Sequence, residues 1–212
     1  MDDHHHTETA TLAMGCFWGP EALFGALPGV VSTRTGYAGG TASEPTYRHM
    51  GDHTETVEVD FDPAVLAYDD ILRVFWNGHR PENINGYKGR QYQSMLLYRS
   101  PEQKDAIERV LEERRVSGKG EPATEIRPFS VFYAAEERHQ KYYLKRYPHA
   151  VERLLTLYGS IAEMDRSTLA ARLNGLAKGY ANRSGVLEEI SRWPLPEEER
   201  ERIAACVGSI RW

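Results

Sequence analysis

ATLAMGCFWGPEALFGALPG, residues 10–29, holds a strand, a turn and a helix in immediate succession. Ala10 to Met14 form a short apolar run that reads as a strand. Ala22, Leu23, Phe24, Ala26 and Leu27 follow at helical spacing, and Gly29 closes the helix. Pro20 suits a first helical turn, where its missing N–H costs nothing. This strand-turn-helix junction places the Cys16 thiol at or near a helix N-terminus. Backbone N–H groups and the positive end of the helix dipole favour a thiolate there. Phe17 and Trp18 follow directly and can wall an apolar pocket beside the sulfur. The competing reading is structural, since unpaired cysteine is among the most buried residue types.

Outward from this junction the pattern is mixed. Val30 to Tyr37 reads as a strand, and residues 40–53 as a polar, turn-rich loop of the kind that carries chemistry. Thr54 to Phe61 alternates with period two, placing Val57, Val59 and Phe61 on one face. Tyr68 to Trp76 is helical, with Ile71, Leu72, Phe75 and Trp76 as its core face. Residues 77–91 form a second long loop, and Ser94 to Arg99 a short strand. Pro101 opens a helix to about Val116. Thr124 to Tyr133 reads as one strand and Ala135 to Tyr147 as one helix. The order β-α-β-β-α-β-α-β-α predicts an α+β fold with helices on one side of a mixed or antiparallel sheet.

The expected organisation is a disordered tail over 1–8, a catalytic domain over 9–148 and a helical C-terminal extension over 149–212. Helical segments in the extension run from Val151 to Tyr158, Ser167 to Gly179 and Glu197 to Ile210, broken at Trp193-Pro194. It could serve packing, a dimer contact or a lid, with packing the default.

At 212 residues the chain can bury a full core. Its net charge of −5 argues against a general nucleic-acid surface. No run approaches the ~20 apolar residues of a membrane span, and no basic-then-apolar leader opens the chain. Cys16 and Cys206 are the only cysteines, too few for a disulfide framework, so a cytoplasmic, reducing setting is expected. His4, His5 and His6 read as a tail or tag remnant, because adjacent side chains do not converge as spaced metal ligands do.

Six blocks together resemble the A-class peptide methionine sulfoxide reductases: GCFWGPEALF (15–24), LPGVVSTRTGYAGG (27–40), PTYRHM (45–50), DHTETVEVDFDP (52–63), RQYQS (90–94) and ERHQKYY (137–143). The resemblance implies a ferredoxin-like α/β two-layer sandwich core. It also implies thiol-dependent reduction of methionine-S-sulfoxide, protein-bound or free, as repair of oxidative damage. Cys16 would attack the sulfoxide sulfur and become a sulfenic acid. Glu55 would sit protonated at the sulfoxide oxygen, and Tyr47 and Tyr92 would hydrogen-bond that oxygen. Phe17 and Trp18 would receive the S-methyl group. No bound cofactor or metal is implied; electrons would come from a thioredoxin-like protein or a small dithiol. The partners implied are oxidised proteins, peptides or free methionine sulfoxide, and that reductant.

Read without the resemblance, Glu55 is either a buried acid in line with Val57 and Val59 or a solvated residue at a strand end. Tyr47 is a loop aromatic, His53 a solvated loop histidine, Tyr37 a sheet-edge packing residue, and Phe75 and Trp76 are core. The chain departs from the family at two places. Tyr87 stands where an aspartate is usual, with Lys88 and Arg90 beside it. No resolving cysteine follows Tyr142-Tyr143. Cys206 is therefore the one candidate resolving thiol, and its neighbours Ile203, Ala204, Ala205 and Val207 read equally as a buried helix face. A weak sulfoxide- or thiol-binding sensor and a peroxide-reacting thiol enzyme are the rival functions.

Overall fold

The computed structural model describes residues 7–84, 86 and 89–212. His4, His5, His6, Tyr87 and Lys88, on which expectations were placed, lie outside the described residues. So does the tail expected over 1–8, apart from Thr7 and Glu8, and Glu8 opens the first strand.

Strands β1 (Glu8–Met14), β2 (Val30–Ala38), β3 (Thr54–Phe61), β4 (Ser94–Tyr98), β5 (Glu125–Pro128) and β6 (Phe132–Ala134) form one sheet in the order β5-β4-β1-β3-β2-β6. All pairings are antiparallel except β4 with β5. Helices α1 (Trp18–Gly25), α2 (Tyr68–Asn77) and α3 (Pro101–Val116) accompany it. Period-two side chains Ala10, Leu12 and Met14 of β1 meet Val57, Val59 and Phe61 of β3 in the main core, with Phe24, Ile71, Leu72, Phe75 and Ile107 from the helices. The fold is α+β, as the sequence predicts.

The one-sided burial expected of β3 is not found. Every residue from Thr54 to Val59 is buried, because β3 is central and its second face is covered too. Ala13, Ala38, Met95 and Leu97 pack there under Phe129 and Phe132. Glu58 lies on that face between Arg34, 2.6 Å away, and Arg99.

Two predicted elements are divided. The single strand expected over 124–133 becomes β5 and β6, which lie on opposite edges of the sheet. Pro128 ends β5, since proline offers no N–H to a ladder, and the chain then crosses to pair Phe132 with Ala38. The helix expected over 135–147 becomes a 3-10 turn at Glu137–His139 and a short α4 (Tyr142–Lys145). Between them Gln140 is extended, and its side-chain amide both accepts from the Thr35 N–H and donates to the Thr35 carbonyl, each at 2.9 Å. Lys141 follows with φ of 51° and is fully buried. Tertiary bonds override helical spacing at both residues.

The remaining helices are α5 (Pro148–Leu154), α6 (Ile161–Asp165), α7 (Thr168–Lys178), α8 (Arg183–Ser191) and α9 (Glu197–Ser209). They enclose a second core around Leu154, Met164, Leu173, Ile190 and Val207. α7 lies directly against α1, so closely that a Cβ on Gly25 would stand 2.6 Å from the Ala171 carbonyl oxygen. Arg172 donates to the Gly25 carbonyl at 2.8 Å and pairs with Glu189. The helical layer thus grips the helix that follows Cys16.

Candidate active site

Cys16 occupies the turn between β1 and α1, one residue before the Phe17 cap. Gly15 makes the turn with φ of +94°, and a Cβ there would collide with Ile84 at 2.5 Å. The thiol is half-buried and unbonded to another sulfur. The Trp18 N–H points at the sulfur, as a helix start requires, and lowers the thiol pKa. Burial is the larger influence, and the Glu55 carboxyl adds to it, so the thiol is pushed from 9.0 up to about 11. The thiolate expected from the helix terminus is therefore not the resting form. Desolvation and a neighbouring acid outweigh the dipole.

Glu55 comes to this point from the adjacent strand and is 1 % exposed. Its two oxygens accept from the Phe17 N–H at 3.0 Å and the Gln91 amide at 2.7 Å, and Cys16 hydrogen-bonds it as well. Burial raises its pKa; these three hydrogen bonds oppose the rise without reversing it. None of the groups acting on it is a cation. Tyr92 stands in a 3-10 turn, Arg90–Tyr92, and its phenol is pushed up to about 12 by burial, by Glu55, Tyr47 and Cys16, and by a hydrogen bond with Tyr47. Cys16, Glu55, Tyr47 and Tyr92 thus converge, from β1–α1, β3 and two loops.

Phe17 and Trp18 take different positions. The Phe17 ring is 1 % exposed and packs against Tyr37 and His139, so only its backbone faces the acid. Trp18 is half-buried and stacks flat on Tyr142 at 3.7 Å. It lines a cleft of about 530 Å³ that also reaches Cys16. Glu55, Tyr47 and Tyr92 do not line that cleft. The sulfur therefore stands between an enclosed polar group and an open groove.

The segment 8–164 matches the family model for peptide methionine sulfoxide reductase. The chain belongs to the peptide methionine sulfoxide reductase family. It is 44 % identical over 194 residues to the peptide methionine sulfoxide reductase of Drosophila melanogaster, covering 91 % of this chain and 77 % of that one. It is 40 % identical over 203 residues to peptide methionine sulfoxide reductase A5 of Oryza sativa subsp. japonica, covering 89 % and 78 %. Among solved structures, methionine sulfoxide reductase A of Corynebacterium diphtheriae aligns with a TM-score of 0.59 at 32 % identity, covering 70 % of this chain and 79 % of that one. Members of the peptide methionine sulfoxide reductase family are oxidoreductases acting on methionine sulfoxide, and this chain is one of them.

Three residues around this reductase site were not singled out by sequence reasoning. Gln91 holds Glu55, and it lies next to Tyr92 in the RQYQS block. His139 accepts from the Trp18 indole N–H at 3.3 Å and packs on Tyr47 at 4.7 Å between ring centroids. Burial lowers its pKa, which keeps the imidazole neutral and able to accept. Glu136 accepts from the Tyr37 hydroxyl at 2.8 Å and the Tyr47 N–H at 3.2 Å, fixing the loop that carries Tyr47. His139 was visible only as part of the ERHQKYY block, and Glu136 lies one residue before it. His53, expected in solvent, is 1 % exposed and ties the same loop through Gly40 and Ala42. Tyr37 is wholly buried, not at an edge.

Cys206 lies elsewhere. It is 4 % exposed in the second core, and its S–H donates to the Arg153 carbonyl at 3.3 Å. It is not among the groups acting on Cys16. Among the described residues no helix is long and apolar enough to cross a membrane.

Proposed function

We propose that this reductase takes the oxygen of methionine-S-sulfoxide onto Cys16, with Glu55 as the proton donor. The observation that carries this reading is a buried carboxyl with no cation among its partners, hydrogen-bonded to a thiol at a strand-helix turn. An acid in such a place keeps its proton and can give it to a developing oxyanion. Tyr47 and Tyr92 then hold the sulfoxide oxygen, and Trp18, backed by Phe17, receives the S-methyl group.

The step balances as follows. The Cys16 sulfur attacks the sulfoxide sulfur, Glu55 protonates the oxygen, and the thiol proton passes to Glu55. The hydroxyl oxygen leaves the substrate sulfur with the S–O electron pair and bonds to the Cys16 sulfur, giving a sulfenic acid, while the newly formed S–S bond breaks and methionine departs with that bond's electron pair. A neutral Glu55 removes the carboxylate charge that otherwise opposes thiolate formation, so the high resting pKa of Cys16 does not bar the attack. An external thiol next displaces water from the sulfenic acid to give a mixed disulfide, and a second thiol releases Cys16. Cys206, sealed in packing, takes no part. A thioredoxin-like protein or a small dithiol supplies these thiols, in the cytoplasm.

The order β4-β1-β3-β2, antiparallel throughout and with α1 and α2 as crossovers, supports a ferredoxin-like core as the frame for this site. Residues 9–148 then form the catalytic domain and 149–212 its helical extension. The test is one equivalent of methionine-S-sulfoxide without reductant. The reading expects one methionine per protein and a Cys16 sulfenic acid trapped by a 1,3-dione; methionine formation with no modified Cys16 rejects it.

A further inference from the structure

We propose that the cleft beside Cys16 is a binding site for an acidic polypeptide segment, built jointly by the catalytic core and the helical extension. The proposal rests on the reductase reading above and names the class of substrate that this site favours.

The volume of about 530 Å³ falls in the range of pockets that hold whole ligands, roughly 300–1,000 Å³, and exceeds what one S-methyl end fills. Cys16 and Trp18 line it together with Tyr143, Lys178 and Tyr180, and Arg80 lines it as well. No aspartate or glutamate is among the lining residues. Arg80 and Lys178 are exposed, and neither forms an ion pair among the described residues. On a chain of net charge −5, two such cations with no lining carboxylate give the groove a sign opposite to the net charge. The Lys178 ammonium stands 4.7 Å over the Tyr143 ring, which holds it at the cleft.

The extension supplies its residues in a fixed position. α7 ends at Lys178, Gly179 turns the chain with φ of 91°, and Tyr180 follows, 47 % exposed. α7 is locked to α1 by the Gly25 contact and by Arg172, and through Asn174 it bonds the Leu144 N–H at 3.1 Å. The helix that presents Cys16 therefore also fixes how far Lys178 and Tyr180 lie from it. The exposed Tyr180 ring and the two unpaired cations suit a peptide bearing carboxylates beside its oxidised methionine.

The experiment compares kcat/KM, with dithiothreitol as reductant at low salt, for an Asp-flanked and a Lys-flanked methionine-S-sulfoxide peptide of equal length. N-acetyl-methionine-S-sulfoxide amide is the reference, and free methionine-S-sulfoxide a fourth substrate. The wild type should favour the acidic peptide over the basic one by about tenfold, as a few partly exposed charge pairs allow, with the preference shrinking at high salt. R80E/K178E, whose side chains are exposed, should reverse the order relative to the reference. Equal use of both peptides by the wild type, or a preference that survives in R80E/K178E, overturns the proposal. A loss for free methionine-S-sulfoxide as large as that for the acidic peptide also overturns it, because the cations would then hold the amino acid's own carboxylate. Fluorescence anisotropy of the labelled acidic peptide on C16S, with and without R80E/K178E, reads the same site without turnover. Absence of turnover with every substrate, with charge-dependent peptide binding intact, would instead reject the reductase reading.

Discussion

Glu21 and Glu55 are both shut away from solvent beside α1, and their partners differ completely. Glu21 is fully buried with Lys141, whose ammonium and backbone N–H each donate to it at 2.8 Å. Asn174 and Thr33 complete the cluster. Burial raises the Glu21 pKa and the adjacent ammonium opposes the rise. Glu55 has an amide, a backbone N–H and a thiol instead. One carboxyl is a clamp that ties β2, α1, α4 and α7 together; the other, in the proposed mechanism, supplies a proton at Cys16. In the proposed reading it is the absence of a compensating cation, and not burial alone, that lets Glu55 act as an acid.

The largest expected effect is at the sulfur. C16S should leave less than about a hundredth of the wild-type rate of methionine formation, because a hydroxyl is a far poorer nucleophile at sulfur. Measurable turnover above that level would detach the site from the chemistry. E55Q keeps the shape but gives up one of the two acceptor oxygens and cannot transfer a proton, and should slow single turnover about 10²–10⁴-fold. Its stability should move the other way. A raised native pKa contributes stability that is fully present below the unfolded value, ordinarily 4.5, and is lost as pH rises through the native value. E55Q should therefore unfold at higher temperature than wild type at alkaline pH; a lower melting temperature there would mean that Glu55 is ionised and stabilising.

E21Q sharpens the contrast from the other side. It strands a buried ammonium and should cost about 3–5 kcal/mol of stability by chemical denaturation, while E21Q/K141M should recover much of that loss. If E21Q instead slowed single turnover as much as E55Q without loss of stability, the division between clamp and acid would fail. C206A should be the mildest change, within about threefold of wild-type turnover with dithiothreitol, since a spectator thiol contributes nothing to the transition state. A stoichiometric Cys16–Cys206 disulfide after one equivalent of sulfoxide would bring the extension into the catalytic cycle.

The strand-turn-helix at Cys16 was legible because local spacing, Pro20 and Gly29 all agree. Cys16, Glu55, Tyr47 and Tyr92, named from four separate sequence blocks, lie together in the fold. What the sequence hid is what long-range contacts decide. The division of 124–133 was signalled only by Pro128. The break at Gln140-Lys141 depends on partners, Thr35 and Glu21, more than a hundred residues away. The helix dipole at Cys16 was read correctly in direction, but the opposing burial and Glu55 were invisible without the fold.

The central claim, a proton resident on Glu55, is open to infrared difference spectroscopy of wild type minus E55Q across pH. The account predicts a protonated-carboxyl band, absent from E55Q, that persists well above the ordinary carboxyl value of 4.5. Loss of that band at or below 4.5 would show an ionised Glu55 beside Cys16 and contradict the account.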